Sequence, residues 1–162
     1  MFRQIKLAYD ANPAINPAII CKKGFYGGCH VLKLQKPAWT NDDMRTTENR
    51  SGIFFSVWCD GGTEPVCKGN YNIHALKLRQ LRGFKITSRD FAEEFRRRFR
   101  HIASPWPNVS TEFGPLTLMQ GWFDVVAATF EADVARLMNR FLEISPIIDE
   151  LLEKRRTAAR IH

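Results

Sequence analysis

Phe91, Phe95, Phe99 and Ile102 recur at spacings of four, four and three. That spacing stacks them in one stripe and makes residues 87–102 the clearest helix in the chain. Thr87 followed three residues later by Asp90 has the form of a capping box with Asp in place of Glu or Gln, and Ser88 is an alternative cap. Phe2, Ile5 and Tyr9 predict a short helix over residues 2–9, stopped by Asn12-Pro13. Phe130, Val134, Leu137, Met138 and Phe141 predict another over residues 130–144. Ser145-Pro146 reads as its stop and as the start of a further helix whose apolar face is Ile147, Ile148, Leu151 and Leu152.

The remaining pattern is that of strands. After the Gly27-Gly28 break, His30, Leu32 and Leu34 alternate with Val31, Lys33 and Gln35, a period of two that predicts a strand with one buried face ending before Pro37. Residues 37–51 are polar apart from Trp39 and read as a long connection. Residues 51–60 carry Ile53, Phe54, Phe55, Val57 and Trp58 on both faces, which suits a central strand covered on both sides. A turn at Gly61-Gly62 leads to a third strand over residues 71–78, with His74, Leu76 and Leu78 on one face. Residues 111–123 supply a fourth, bent by Gly114-Pro115 and Gly121. The expected fold is α+β: a single antiparallel sheet of three to four strands packed against amphipathic helices, two of them C-terminal. Residues 1–162 are read as a single domain, with no repeat or low-complexity tract dividing them.

With 44% hydrophobic and 25% charged residues, the composition excludes collagen-like, fibrous and wholly disordered chains. No apolar run suggests a membrane-spanning helix and the first residues lack a secretory pattern, so a cytoplasmic location away from the membrane is expected. Cys21, Cys29, Cys59 and Cys67 form two C-x7-C pairs. None has the C-x2-C spacing of a zinc ribbon or redox site, and free thiols are expected.

Charge changes the picture more than composition does. The chain carries a formal charge of +7, and residues 77–102 hold nine basic groups against three acidic ones, while residues 112–150 hold two against seven. Glu93 precedes Arg97, and Glu94 precedes Arg98, by four positions, the favourable order for helix ion pairs. Arg89, Arg96 and Arg100 fall within about 40° of one another on the flank of the same helix. A row of guanidinium groups suits phosphate oxygens, and Lys77, Arg79, Arg82 and Lys85 lie just before it.

Three readings of function follow. The first is a small binding module whose Arg89, Arg96 and Arg100 row, widened by Lys77, Arg79, Arg82 and Lys85, contacts nucleic acid or an acidic protein. The same residues also fit a solvated helix face, or one paired with the acidic stretch 112–150. Trp39 and Trp106 read as core or loop anchors before they read as stacking surfaces. The second is a small enzyme or zinc protein built on His30, Cys59 and His74, placed by the predicted register on one side of the sheet, although the leucines and valine on that face favour a hydrogen-bonded core histidine and a packed thiol instead. The third is an oligomeric partner protein, a homodimer through Ile147, Ile148, Leu151 and Leu152, for which packing into the core is the default reading. With those helices packed, the basic tail, Lys154-Arg155-Arg156 and Arg160, is expected to protrude and to bind an acidic partner or nothing. No phosphate-loop or dinucleotide fingerprint occurs, and no cofactor is expected.

Overall fold

The structure, a computed structural model, describes residues 2–11, 18–26, 29–43, 51–59 and 68–157. In chain order it consists of helix α1 (Phe2–Ala11), strands β1 (Ile20–Tyr26), β2 (Cys29–Gln35), β3 (Gly52–Cys59) and β4 (Lys68–Leu76), helix α2 (Ser88–Phe99), strand β5 (Thr117–Asp124) and helix α3 (Phe130–Glu153). The five strands form one antiparallel sheet in the order β1-β2-β3-β4-β5, so every strand pairs with its sequence neighbours. The stop at Asn12-Pro13 and the turns at Gly27-Gly28 and Gly61-Gly62 lie outside the described residues, as do Cys67 and Arg160.

The class is α+β, as the periodicities imply, with one strand more than expected. β1 carries Lys22, Lys23 and Gly24 in succession, and of its core-side positions Cys21 is buried while Lys23 and Phe25 are exposed. An edge strand with one buried side chain shows no stripe to read. α1 buries Phe2, Ile5 and Tyr9, the three residues that predicted it, and the Tyr9 hydroxyl donates to the Ile19 carbonyl at 2.9 Å.

The helices cover one face of the sheet. There Phe55 of β3 stacks on Phe141 of α3 with ring centres 4.7 Å apart, and Trp106 packs edge-on against both Phe55 and Phe99. Phe91, Phe95 and Phe99 of α2 are fully buried. Tyr71 of β4 lies across Gly121 of β5, where a Cβ would stand 2.2 Å from the Tyr71 hydroxyl, so this crossing needs glycine. Trp39 is buried and donates its indole N–H to Asp149 Oδ1 at 2.8 Å, while Lys36 Nζ reaches Oδ2 at 2.6 Å. Trp39 and Trp106 are thus a loop anchor and a core residue.

Ile102, expected in the buried stripe of α2, is 42% exposed in a 3-10 turn after the helix, and the strand expected over residues 111–123 begins only at Thr117, past Gly114-Pro115. Three further expectations about elements change. First, α3 runs unbroken through Pro146 where two helices were expected. Pro146 removes the N–H that would serve the Leu142 carbonyl, and the Ser145 hydroxyl donates to that carbonyl instead, at 2.8 Å. Second, β4 ends at Leu76, and Leu78 belongs to a following 3-10 turn, Leu78–Gln80. The core stripe of β4 is Tyr71, Ile73 and Ala75, which places His74 on the other face. Third, Thr87 is the N-cap of α2 but its side chain makes no capping hydrogen bond, so the capping box is not formed.

Candidate functional site

α2 is where the charge excess meets the fold, and its cations have divided fates. Glu94 does not pair with Arg98 along the helix. It meets Lys154 at 3.0 Å and Arg155 at 3.5 Å, from the end of α3, and Arg98 pairs with Glu150. These contacts hold Glu94 below the usual carboxylate range, the Lys154 hydrogen bond contributing most. Arg156 pairs with Glu153 at 2.9 Å. The basic tail, where described, is therefore tied back onto the molecule, and part of the expected pairing with the acidic stretch is realised through Arg98.

The row of Arg89, Arg96 and Arg100 is split by Arg96. Its guanidinium donates to four backbone carbonyls: Leu118 at 3.1 Å, Phe113 at 3.0 Å, Gly114 at 2.9 Å and Thr117 at 2.7 Å. Burial, then the charge of Arg100, pulls its pKa below the ordinary arginine value. Arg96 thus clamps the loop before β5 through Nε and Nη2, which leaves the two Nη1 donors for any other acceptor. Arg89 and Arg100 are exposed, as are Lys77, Arg79, Arg82 and Lys85.

Arg79 and Arg89 line one hollow of about 360 Å3 at the start of α2, with Thr87, Ser88, Asp90 and Pro115. The first-turn N–H groups and the positive end of the helix dipole open at this point. The segment carrying Arg79 and Arg82 is fixed from two sides. Asn41 donates its amide to the Gln80 carbonyl at 2.7 Å and accepts from the Arg82 N–H at 3.0 Å. The Lys85 N–H donates to the Arg155 carbonyl at 2.8 Å. Large apolar side chains border the hollow's Pro115: Phe113 and Leu116 are 39% and 51% exposed. The sequence pattern did not single them out, because exposed apolar residues in an irregular loop carry no period.

The three residues of the metal reading do not come together. The register sets Phe54 opposite His74 and Val57 opposite Tyr71, so His74 shares a face with Phe54 while Cys59 continues the Phe55 and Val57 stripe on the helix side. His30 is exposed and packs edge-on against Phe25 with centres 4.9 Å apart. Among the described residues no group of three His, Cys, Asp or Glu side chains could hold a metal ion. The apolar face expected to serve a homodimer is interior: Ile148 and Leu151 are fully buried, Leu152 is 3% exposed, and Ile147 packs against the same core. Among the described residues no helix is long and apolar enough to cross a membrane.

No family model, curated protein or solved structure matches the chain.

Proposed function

We propose that the chain is a non-enzymatic binding module for a phosphate-bearing polymer, nucleic acid being the reference case. The contact face is built from Lys77, Arg79, Arg82, Lys85, Arg89 and Arg100. Arg96 stands behind this face as the clamp of the Phe113–Thr117 loop and is not itself a contact. The observation that carries the reading is that Arg79 and Arg89, from separate elements, line one hollow at the α2 N-terminus. Neither makes an ion pair among the described residues. Guanidinium forks, helix N–H groups and the dipole all favour a phosphate there, and exposed Phe113 offers a surface on which a base can stack.

The test is fluorescence anisotropy with labelled single-stranded and duplex oligonucleotides at two salt concentrations. About five phosphate contacts lose roughly two to three orders of magnitude in affinity between 50 and 200 mM salt. The R79E/R89E double variant should remove binding while leaving the circular dichroism spectrum unchanged. Binding indifferent to salt, or to that double reversal, overturns the reading. An acidic protein that binds with the same salt dependence where oligonucleotides do not would replace nucleic acid as the partner.

A further inference from the structure

The loop that leads into β5 carries two large apolar side chains beside the basic hollow, and its backbone is held from both ends. Arg96 Nη2 donates to the Phe113, Gly114 and Thr117 carbonyls at 3.0, 2.9 and 2.7 Å, and the Thr117 N–H closes a turn onto the Gly114 carbonyl at 3.2 Å. The Ala75 N–H of β4 donates to the Leu116 carbonyl at 2.9 Å. Ahead of the loop, Ser110 exchanges two backbone hydrogen bonds with Gln120, at 2.8 and 3.0 Å. Phe113 and Leu116 project from this fixed backbone at 39% and 51% exposure, and neither belongs to the buried core. An aromatic ring that water can reach, on backbone already ordered, loses little entropy when a planar group settles on it.

The position of the loop bears on which phosphate polymer the cationic face fits. Pro115, two residues from Phe113, lines the hollow with Arg79 and Arg89. Two residues of chain span at most about 7 Å, the scale of the step from a nucleotide's phosphate to its own base. Asp90 lines the same hollow, one carboxylate against two guanidinium groups. A duplex gains nothing from Phe113, because its bases stay stacked inside and its charged rails meet the protein first. Phosphates laid over Phe113 and Leu116 lose water without gaining a partner. The row of Arg89, Arg96 and Arg100, which would follow such a rail, is interrupted where Arg96 turns Nε and Nη2 onto the loop. A single strand offers both parts at once, a charged backbone and unpaired bases with open faces.

We propose that the polymer is a single-stranded nucleic acid, held with a phosphate between Arg79 and Arg89 and a neighbouring base stacked on Phe113, with Leu116 extending the apolar surface. The inference rests on the reading of the cationic face given above and narrows it to one form of the polymer. Stacking accepts any base, since each presents a flat face.

The test is a set of affinities read by fluorescence anisotropy at one low salt concentration. The probes are a labelled single strand, a strand of the same length whose central nucleotides lack bases, and a duplex with the same number of phosphates. The intact strand should bind about tenfold or more tightly than either of the others. Phe113→Ala should weaken the intact strand by about tenfold and leave the other two unchanged, and Phe113→Trp should restore the difference. Phe113 is exposed, so both variants should melt with the parent. An intact strand that binds no better than the baseless strand or the duplex overturns this inference and leaves the cationic face standing, as does equal weakening of all three probes by Phe113→Ala. A chain that binds none of the probes, or binds them equally well after the R79E/R89E reversal, overturns the reading of the face and this inference with it. Retention on phosphatidylserine vesicles without affinity for any of the probes assigns the loop and its cations to a bilayer surface and overturns both.

Discussion

The Arg96 guanidinium stands 2.7 Å from the Thr117 carbonyl, and through the same side chain α2 holds the whole loop that leads into β5. Pro115 of that loop lines the basic hollow, and the Leu116 carbonyl lies 3.4 Å from His74 Nδ1. Replacing Arg96 by Lys keeps the charge but loses the fork that reaches four carbonyls at once. Arg96→Lys and Arg96→Ala should each destabilise the fold, by on the order of 2 kcal/mol for the alanine, as carbonyls lose their donors. Hydrogen exchange should rise over residues 113–118 before it rises in the strands. Unchanged protection there in Arg96→Ala would refute the clamp.

How far this was legible in the sequence depends on what each residue contacts. Phe91, Phe95 and Phe99 bury against other side chains, so their spacing alone wrote α2 and its buried face. His74 misled because its alternation with Leu76 and Leu78 ran past the end of the strand, while the true stripe ends in the small Ala75. The fate of Arg96 left no trace in the sequence, because its partners are backbone carbonyls that any residue can supply. Glu94 looked paired with Arg98 by local spacing, and the end of α3 outcompeted it. That Asn72 Oδ1 has no hydrogen-bond partner among the described residues is likewise a property of register, set by the pairing of β4 with β3 and with β5.

Cysteine chemistry gives a second check on the packing. Cys21 is 3% exposed, and burial first, then the Asp10 charge, pushes its thiol up to about 12. The thiolate is the reactive species, so Cys21 should resist alkylation at pH 8 in the folded protein while the half-buried Cys29 is labelled. Peptide-level mass spectrometry with and without denaturant reads both. Labelling of Cys21 at the rate of Cys29 in the native state would show that α1 does not cover it.

His74 predicts a pH dependence whose sign is fixed by its surroundings. Around it are Asn72, the Leu116 carbonyl, Thr117 Oγ1 at 3.5 Å, the Phe54 ring with centres 5.3 Å apart, and the charge of Lys33. Burial first, and Lys33 after it, lower the folded pKa below 6.5, outweighing the Leu116 hydrogen bond. The unfolded chain therefore binds the proton more readily, and stability is lost as pH falls from the unfolded value through the folded one. The loss is at most about 1.4 kcal/mol per pH unit. Denaturation midpoints of the parent and His74→Gln should converge as pH drops from 7.5 to 5, relative to their separation at pH 7.5. A parent slope identical to that of the variant would exclude His74 as its source.

Pro146 supplies the sharpest energetic test, because the protein has already compensated for it. A proline inside a helix removes one hydrogen bond and crowds the carbonyl four residues back, a cost of about 3 kcal/mol. Here that carbonyl belongs to Leu142, and the buried Ser145 hydroxyl serves it. Ser145→Ala alone leaves the carbonyl unsatisfied and should cost about 1–2 kcal/mol. Pro146→Ala restores an N–H aimed at Leu142, so in that background the serine becomes redundant and Ser145→Ala should cost only a few tenths of a kcal/mol. Urea denaturation of the four chains of this cycle measures the coupling directly. Equal costs in the two backgrounds would mean that the hydroxyl does not stand in for the missing N–H, and that α3 passes Pro146 by packing of Ile144, Ile148 and Leu151 against the sheet alone.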